Sequence, residues 1–236
     1  MEIRRFFINK NDFDGKIATI SGDEFLHATK VLRQKVGFTI IFCIGDGFDY
    51  YAEIIEIDKN MLKAKFIKKI QNFTGAKCAV TLYQGSLKNN KNDFVVQKAV
   101  ELGISEVVFF VSKYVAENDI SLSRLNKISI EASKQCGRAD IVNVRAMTFD
   151  EVISCLSKCA LMFYELETER KLNEIDFNNA DTVDIIIGSE GGFDISEVES
   201  ARARGAKILS LGKRILRAET ASIVATALTM DALGEL

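Results

Sequence analysis

The chain of 236 residues contains no proline, no tryptophan and a single histidine. Average usage would supply about 12 prolines, and nothing beyond a Lys/Asn/Ile-rich composition accounts for their absence. With His27 alone, histidine-based zinc sites, Ser-His-Asp triads and Cys-His dyads are all but excluded, and no metal site is expected. Five cysteines at irregular spacings form no disulfide framework and fit reduced thiols in a cytosol. No apolar run approaches the ~20 residues that span a bilayer. The first ten residues are charged and lack an apolar h-region, so a cytoplasmic chain without a secretory signal or membrane partner is expected. Neither G-x-G-x-x-G nor G-x-x-x-x-G-K-[ST] occurs, which disfavours a dinucleotide Rossmann site, a P-loop and the glycine-rich loop of the commonest methyltransferase fold.

What is present is an ordinary globular composition, 47% hydrophobic and 27% charged, long enough for one large or two small domains. Residues 4–8, 16–20, 39–44, 50–57 and 62–70 read as short strands, with turns at Gly45-Asp46-Gly47 and Asp58-Lys59-Asn60. One helix interrupts them, opened by the capping-box pattern Ser21-Gly22-Asp23-Glu24. Many short strands with one helix suggest a small barrel. Past residue 73 the rhythm changes to strands alternating with helices, the pattern of a parallel sheet covered on both faces. Strands are expected at 79–83, 104–111, 161–166, 183–187 and 208–211, and helices at 93–102, 122–136, 150–156, 194–204 and 220–233. Two domains, 1–73 and 74–236, follow.

The net charge of −2 hides a gradient: +2 over residues 1–73, +3 over 74–145, −6 over 146–187 and −1 over 188–236. A basic front beside an acidic stretch suits a polyanion on one face, although solvated surfaces fluctuate by as much. Two segments can carry chemistry. Ile187-Gly188-Ser189-Glu190-Gly191-Gly192-Phe193 lies between an apolar strand and a capped helix, where glycines admit a ligand to the backbone or simply make a tight connection. Leu211-Gly212-Lys213-Arg214-Ile215-Leu216-Arg217-Ala218-Glu219-Thr220-Ala221 interleaves cations with apolar residues, suiting a purine-bearing ligand or a loop whose arginines cap carbonyls. Cys155 and Cys159, four apart on a helix, read as core residues.

Together these two segments resemble the RsmE-like RNA methyltransferases of the SPOUT superfamily, which methylate N3 of a uridine in small-subunit (16S) ribosomal RNA. The resemblance extends to Arg5-Phe6-Phe7, His27 with Val31-Leu32-Arg33, Gln97-Lys98-Ala99, Glu101-Leu102-Gly103, and Gln135 with Arg138, in order along the whole chain. It implies an α/β fold: a PUA-like β-barrel over 1–73, and over 74–236 a SPOUT domain with a mostly parallel sheet and a C-terminal trefoil knot, a rare exception to the rule against knots. It implies S-adenosylmethionine as cofactor, held by Leu166, Ile187, Gly188, Gly191, Gly192, Leu211, Gly212, Ile215, Leu216, Thr220 and Ala221. It implies a homodimer, with Ile223, Ala227 and Met230 of the closing helix as one suggestion for the interface. The family usually carries proline where Ser189 and Val142 stand, and threonine where Ala218 stands. Ser189 gives up a fixed φ, so a less preorganised loop is expected.

On this reading Arg217 stabilises the uridine anion, and Glu190 or water takes the N3 proton. Arg4, Arg5, His27, Arg33, Lys88, Lys91 and Arg138 are the candidates for binding RNA, either naked small-subunit RNA or the assembled subunit. The rival readings are another SPOUT reaction, on a different base or a ribose 2′-oxygen, and a non-catalytic RNA-binding assembly factor.

Overall fold

The computed structural model describes residues 3–113, 120–178 and 180–236, which divide into two compact units. The first comprises Met1–Gly75 together with Ser133–Ile141, and the second Ala76–Ala132 with Val142–Leu236.

In the first unit β1 (Arg5–Phe7), β2 (Ile17–Ser21), β3 (Thr39–Cys43), β4 (Phe48–Ile57) and β5 (Met61–Gln71) form one sheet in the order β1-β3-β4-β5-β2. Only β1 and β3 pair in parallel. Alternation decides the core face: along β4, Tyr50, Ala52 and Ile54 are buried while Glu53 and Ile55 are exposed. Register shifts at Tyr51/Ala52 and Ile54/Glu56 bend the long β4–β5 ladder and curl the sheet. It is a curled, PUA-like sheet whose edge strands β1 and β2 do not pair with each other. Its core gathers Phe13, Phe42, Tyr50 and Phe66, with Phe42 stacked on Tyr50 at 5.0 Å between ring centroids.

The interrupting helix α1 (Gly22–Leu26) runs on into one wider π-helical turn, His27–Val31. The expected capping box at its start does not form. The Ser21 hydroxyl makes no cap hydrogen bond, and the Glu24 carboxylate is taken by Lys134.

The second unit is a six-stranded sheet in which every adjacent pair is parallel, as the alternating pattern requires. Its strands are β6 (Ala79–Gly85), β7 (Glu106–Val111), β8 (Asn143–Thr148), β9 (Ala160–Phe163), β10 (Thr182–Ile187) and β11 (Lys207–Leu209), ordered β11-β9-β10-β6-β7-β8. Strand β8 was not foreseen from the sequence. It is an edge strand with one side chain, Val144, fully inside, so it carries no apolar run. The helices are α2 (Lys91–Glu101), α3 (Leu122–Cys136), α4 (Phe149–Cys155), α5 (Ile195–Ala203) and α6 (Ala218–Ala232). Central β10 is buried from Val183 to Ile187, and the chain winds outward from β6 through β7 to β8 on one side while β9 to β11 occupy the other. That reversal is a topological switch point, where open α/β sheets place ligands at the carboxyl ends of their strands.

Helix α6 packs against α2 and β10. Met230 is buried there, its methyl against Gly103, so it belongs to this chain's own core and is unavailable for a dimer face. Among the described residues no helix is long and apolar enough to cross a membrane, and no group of His, Cys, Asp and Glu could hold a metal ion. Phe42→Ala, which empties the centre of the first unit's aromatic cluster, is expected to cost about 3–5 kcal/mol in urea unfolding.

Candidate functional site

The carboxyl ends of β9, β10 and β11 open into a cleft of about 490 Å³ in the second unit. Three loops wall it: residues 163–165 after β9, 187–192 after β10, and 210–218 between β11 and α6, with Lys91 and Ala221 completing the lining.

The glycine loop is shaped by backbone approach. Gly192 adopts φ +70°, and a Cβ there would fall 2.1 Å from Glu165 Oε1. Gly85, at the end of β6, faces the same loop from beneath, where a Cβ would stand 2.5 Å from the Ser189 nitrogen and 2.8 Å from the Gly188 carbonyl carbon. Only glycine at 85 lets the two backbones touch. Gly192 N–H donates to the Ser189 carbonyl at 3.1 Å, closing the turn. The Ser189 hydroxyl, buried, lies 3.0 Å from the Ser112 hydroxyl and accepts from Gly191 N–H at 3.4 Å. Beyond the loop the capping box on α5 forms as expected: Asp194 accepts from Ser196 N–H, and Glu197 accepts from Asp194 N–H at 2.8 Å. Glu197 also accepts from Lys113 N–H at 3.0 Å, tying the end of β7 to the same segment.

A buried amide joins two of these walls. Gln84 Nε2 donates to the carbonyls of Gly85 (2.8 Å) and Gly188 (3.1 Å), while its Oε1 accepts from the Ser222 hydroxyl on α6. The Ser222 oxygen also lies 2.9 Å from the Ala218 carbonyl, in the first turn of α6, so its one proton is shared between the two acceptors. A second link is ionic. Lys91 Nζ lies 3.1 Å from Glu190 and 3.3 Å from Glu219. Burial pulls the Glu190 carboxyl up, but Lys88 N–H and the Lys91 ammonium outweigh it and hold the group below the usual glutamate range.

Arg217 is the N-cap residue of α6, exposed at the cleft, and among the described residues its guanidinium has no hydrogen-bond or ion-pair partner. Arg217 and Glu190 therefore share one cleft with Ile187, Gly188, Gly191, Gly192, Leu211, Gly212, Ile215, Leu216 and Ala221. Leu166 and Thr220 do not line it. Strand β9 stops at Phe163, three residues earlier than the expected strand 161–166, so Leu166 is 71% exposed and Phe163, Tyr164 and Glu165 line the wall instead.

The basic residues expected to touch RNA fall into two groups. Arg5 is spent inside the first unit, paired through both terminal guanidinium nitrogens with Asp49 and touching Cys43 Sγ at 3.1 Å. Burial pushes the Cys43 thiol up to about 12, leaving it inert. Arg138 is 3% exposed and paired with Asp140. Neither is available to a phosphate. Arg4, Arg33 and Lys88 are exposed, Arg33 at φ +52°, while His27 packs edge-on to Phe6 and Lys91 is committed to its two carboxylates. The two cysteines expected on one helix are parted, because α4 ends at Cys155: Cys159, just before β9, is buried as expected, but Cys155 is exposed with its sulfur 3.4 Å from the Tyr83 hydroxyl.

Sequence reasoning missed Gln84, Ser222, Ser112 and Glu165. The one available signal was an amide side chain, Gln84, at the carboxyl end of a mostly apolar strand beside a glycine.

A parallel sheet with a glycine-loop cleft at its switch point, following a curled PUA-like sheet, defines a class, and the chain belongs to it. Residues 74–230 match the RNA methyltransferase domain family, and residues 20–67 match the RNA methyltransferase PUA domain. The chain belongs more narrowly to the ribosomal RNA small subunit methyltransferase E family. It is 30% identical to the member from Rickettsia conorii, over 96% of this chain and 95% of that one. It is 31% identical to the one from Mesomycoplasma hyopneumoniae, covering 93% and 95%. Among solved structures, the family member from Neisseria gonorrhoeae bound to S-adenosyl methionine superposes with TM-score 0.89 at 25% identity, covering 98% of both chains. A probable rRNA methyltransferase from Porphyromonas gingivalis gives 0.88 at 27% identity, covering 98% of this chain and 99% of that one.

Gly85→Ala places a methyl group against backbone that cannot move without displacing the glycine loop. It is expected to destabilise the protein by about 1–3 kcal/mol, measured by thermal or urea unfolding.

Proposed function

We propose that this protein methylates N3 of a uridine in small-subunit ribosomal RNA, using S-adenosylmethionine bound in the cleft. The observation that carries the reading is the unpaired Arg217 at the mouth of a glycine-walled cleft. The residues fit the cofactor: the cleft offers apolar side chains (Ile187, Leu211, Leu216) for a purine, and close backbone at Gly188, Gly191 and Gly192. When bound, the cofactor supplies an electrophilic methyl group on a sulfonium for in-line displacement.

The chain's own part is alignment and charge management. Uridine N3 becomes nucleophilic only once its proton leaves, and the negative charge then spreads onto the base oxygens. Arg217 supplies a fixed positive charge at that position, reinforced by the N-terminal end of α6. Glu190, held ionised below its usual range, is a weak base, and its bonds to Lys88 and Lys91 make it an anchor of the loop; water then takes the proton.

We assign residues 1–73 to RNA binding and 74–236 to methyl transfer, with Arg4, Arg33 and Lys88 as exposed cations toward the phosphates. We also infer the trefoil knot. Strand β11 pairs outside β9, yet α6 packs back on α2 and β10, and Ser210 N–H bonds to the Arg170 carbonyl inside the 164–181 connection. A homodimer acting in the cytoplasm completes the proposal.

Nucleoside mass spectrometry of small-subunit RNA incubated with protein and cofactor is expected to show new 3-methyluridine. Another methylated base or a methylated ribose would sink the uridine assignment, and no methylation together with no cofactor binding would favour an assembly factor. Arg217→Ala is expected to lower turnover about a hundredfold while calorimetric cofactor affinity holds within about threefold; lost affinity would move Arg217 from chemistry to cofactor binding. The depressed Glu190 titration has its own signature. Its stabilisation is full above the ordinary glutamate pKa of about 4.3 and is lost as pH falls through the lower folded value. The melting-temperature advantage of wild type over Glu190→Gln is therefore expected to shrink as the pH falls below the ordinary glutamate pKa of about 4.3.

A further inference from the structure

Lys91 begins α2, and its ammonium bridges two carboxylates from opposite walls of the cleft. Glu190 belongs to the glycine loop; Glu219 sits in the first turn of α6, two residues past Arg217. Both carboxylates are shielded, with side chains 29% and 15% exposed. Glu219 Oε2 is buried and has no hydrogen-bond partner among the described residues, which leaves the Lys91 ammonium at 3.3 Å as its compensation.

An exposed ion pair contributes little by itself. The arrangement matters here because removing the cation leaves two like charges facing each other across the cleft, one of them on a buried oxygen. The walls would be driven apart, and the α6 N-terminus that carries Arg217 would move with its wall. The triad of one ammonium and two carboxylates has a net charge of −1, which repels phosphate. Both acceptors also raise the Lys91 titration, Glu190 foremost, so the ammonium stays charged.

We propose that Lys91 is a positioning residue for methyl transfer: by clasping Glu190 and Glu219 it fixes the glycine loop against the start of α6 and so aims Arg217, and it is not a grip on RNA phosphate. The inference rests on the methyltransferase reading above and goes beyond it in assigning Lys91, Glu190 and Glu219 one shared task.

The test is steady-state methyl transfer to small-subunit RNA by wild type, Lys91→Met, Lys91→Arg, Glu219→Gln and the Lys91→Met/Glu219→Gln pair, with melting temperature and cofactor affinity measured in parallel. Lys91→Met is expected to lower kcat about tenfold or more, as a misplaced catalytic group does, with KM for RNA within about twofold. Lys91→Arg recovers most of the loss, because a guanidinium can also span two carboxylates. The double variant falls by less than the product of the two single losses, since the pair acts as one unit. If instead Lys91→Met raises KM at unchanged kcat and lowers the salt slope of RNA binding by about one ion, Lys91 is a phosphate grip and the proposal is overturned. Multiplicative single effects, or unchanged kcat and KM, overturn it too. Should Lys91→Met fail to fold, Glu219→Gln decides: a reduced kcat at constant KM supports the clasp, and wild-type kinetics refute it. A wild type that methylates no RNA overturns the functional reading itself, and this inference with it.

Discussion

The side-chain amide of Gln84 is the contact on which the cleft depends. It is fully buried and spends both amide hydrogens and its carbonyl on partners from three segments: its own strand end, the glycine loop and α6. In so dry a setting each of these bonds is strong, and a lost partner costs about 1–3 kcal/mol, the full desolvation of what is left unpaired. The amide is needed because the Gly85 and Gly188–Ser189 backbones touch, which leaves no room for a side chain at position 85 to bridge them. One polar group thus sets where β6 ends, where the glycine loop turns and where α6 begins.

The charged residues around that amide divide by what they have already met. Lys91, Glu190 and Glu219 neutralise one another in part and serve geometry. Arg217 has met no partner among the described residues, and a cation left unpaired at a helix start is available to whatever anion arrives. In the first unit the same residue types behave otherwise: Arg5 and Asp49 form a nearly buried pair whose breaking would leave an uncompensated charge inside, and the buried Arg138 guanidinium reaches out to the half-exposed Asp140. Counting cations in the sequence cannot tell these fates apart, because the deciding partner lies 44 residues away for Arg5 and two residues away for Arg138.

The fold was legible wherever a local pattern had no long-range competitor. Asp194-Ile195-Ser196-Glu197 and Ser21-Gly22-Asp23-Glu24 carry the same capping signature, yet only the first forms a capping box. Glu197 finds its acceptor role locally, whereas Glu24 is drawn to Lys134, 110 positions along the chain. The buried β10 announced itself by a β-branched run broken only at Asp184, while β8 at the sheet edge had only Val144 to signal it. The site was legible in the same uneven way. Its glycines and Arg217 stand in segments whose composition is unusual; Gln84, Ser112 and Ser222 are ordinary residues made functional by distant backbone. Leu166 misled because the expected strand, 161–166, outlasts the observed one: pairing of β9 with β10 and β11 ends at Phe163.

Ser189 shows how such distant contacts take over a local task. Proline at this position of the family would restrict the loop by fixing φ, an effect on the unfolded chain of about 0.4–1 kcal/mol. Serine forgoes that restriction, and the sequence alone therefore suggests a looser turn. Its hydroxyl, however, is buried against Ser112 at the end of β7 and also accepts from Gly191 N–H. A satisfied buried hydrogen bond contributes about 0.5–1.5 kcal/mol, the same size as the restriction it replaces. The two devices differ in what they restrain. Proline would stiffen one residue, whereas the hydroxyl pair fastens the loop to a strand on the far side of β6, where Glu197 and Lys113 make a second attachment. Order in the glycine loop thus comes from the sheet beneath it, and a change at Ser112 would be felt at the cleft although Ser112 does not line it.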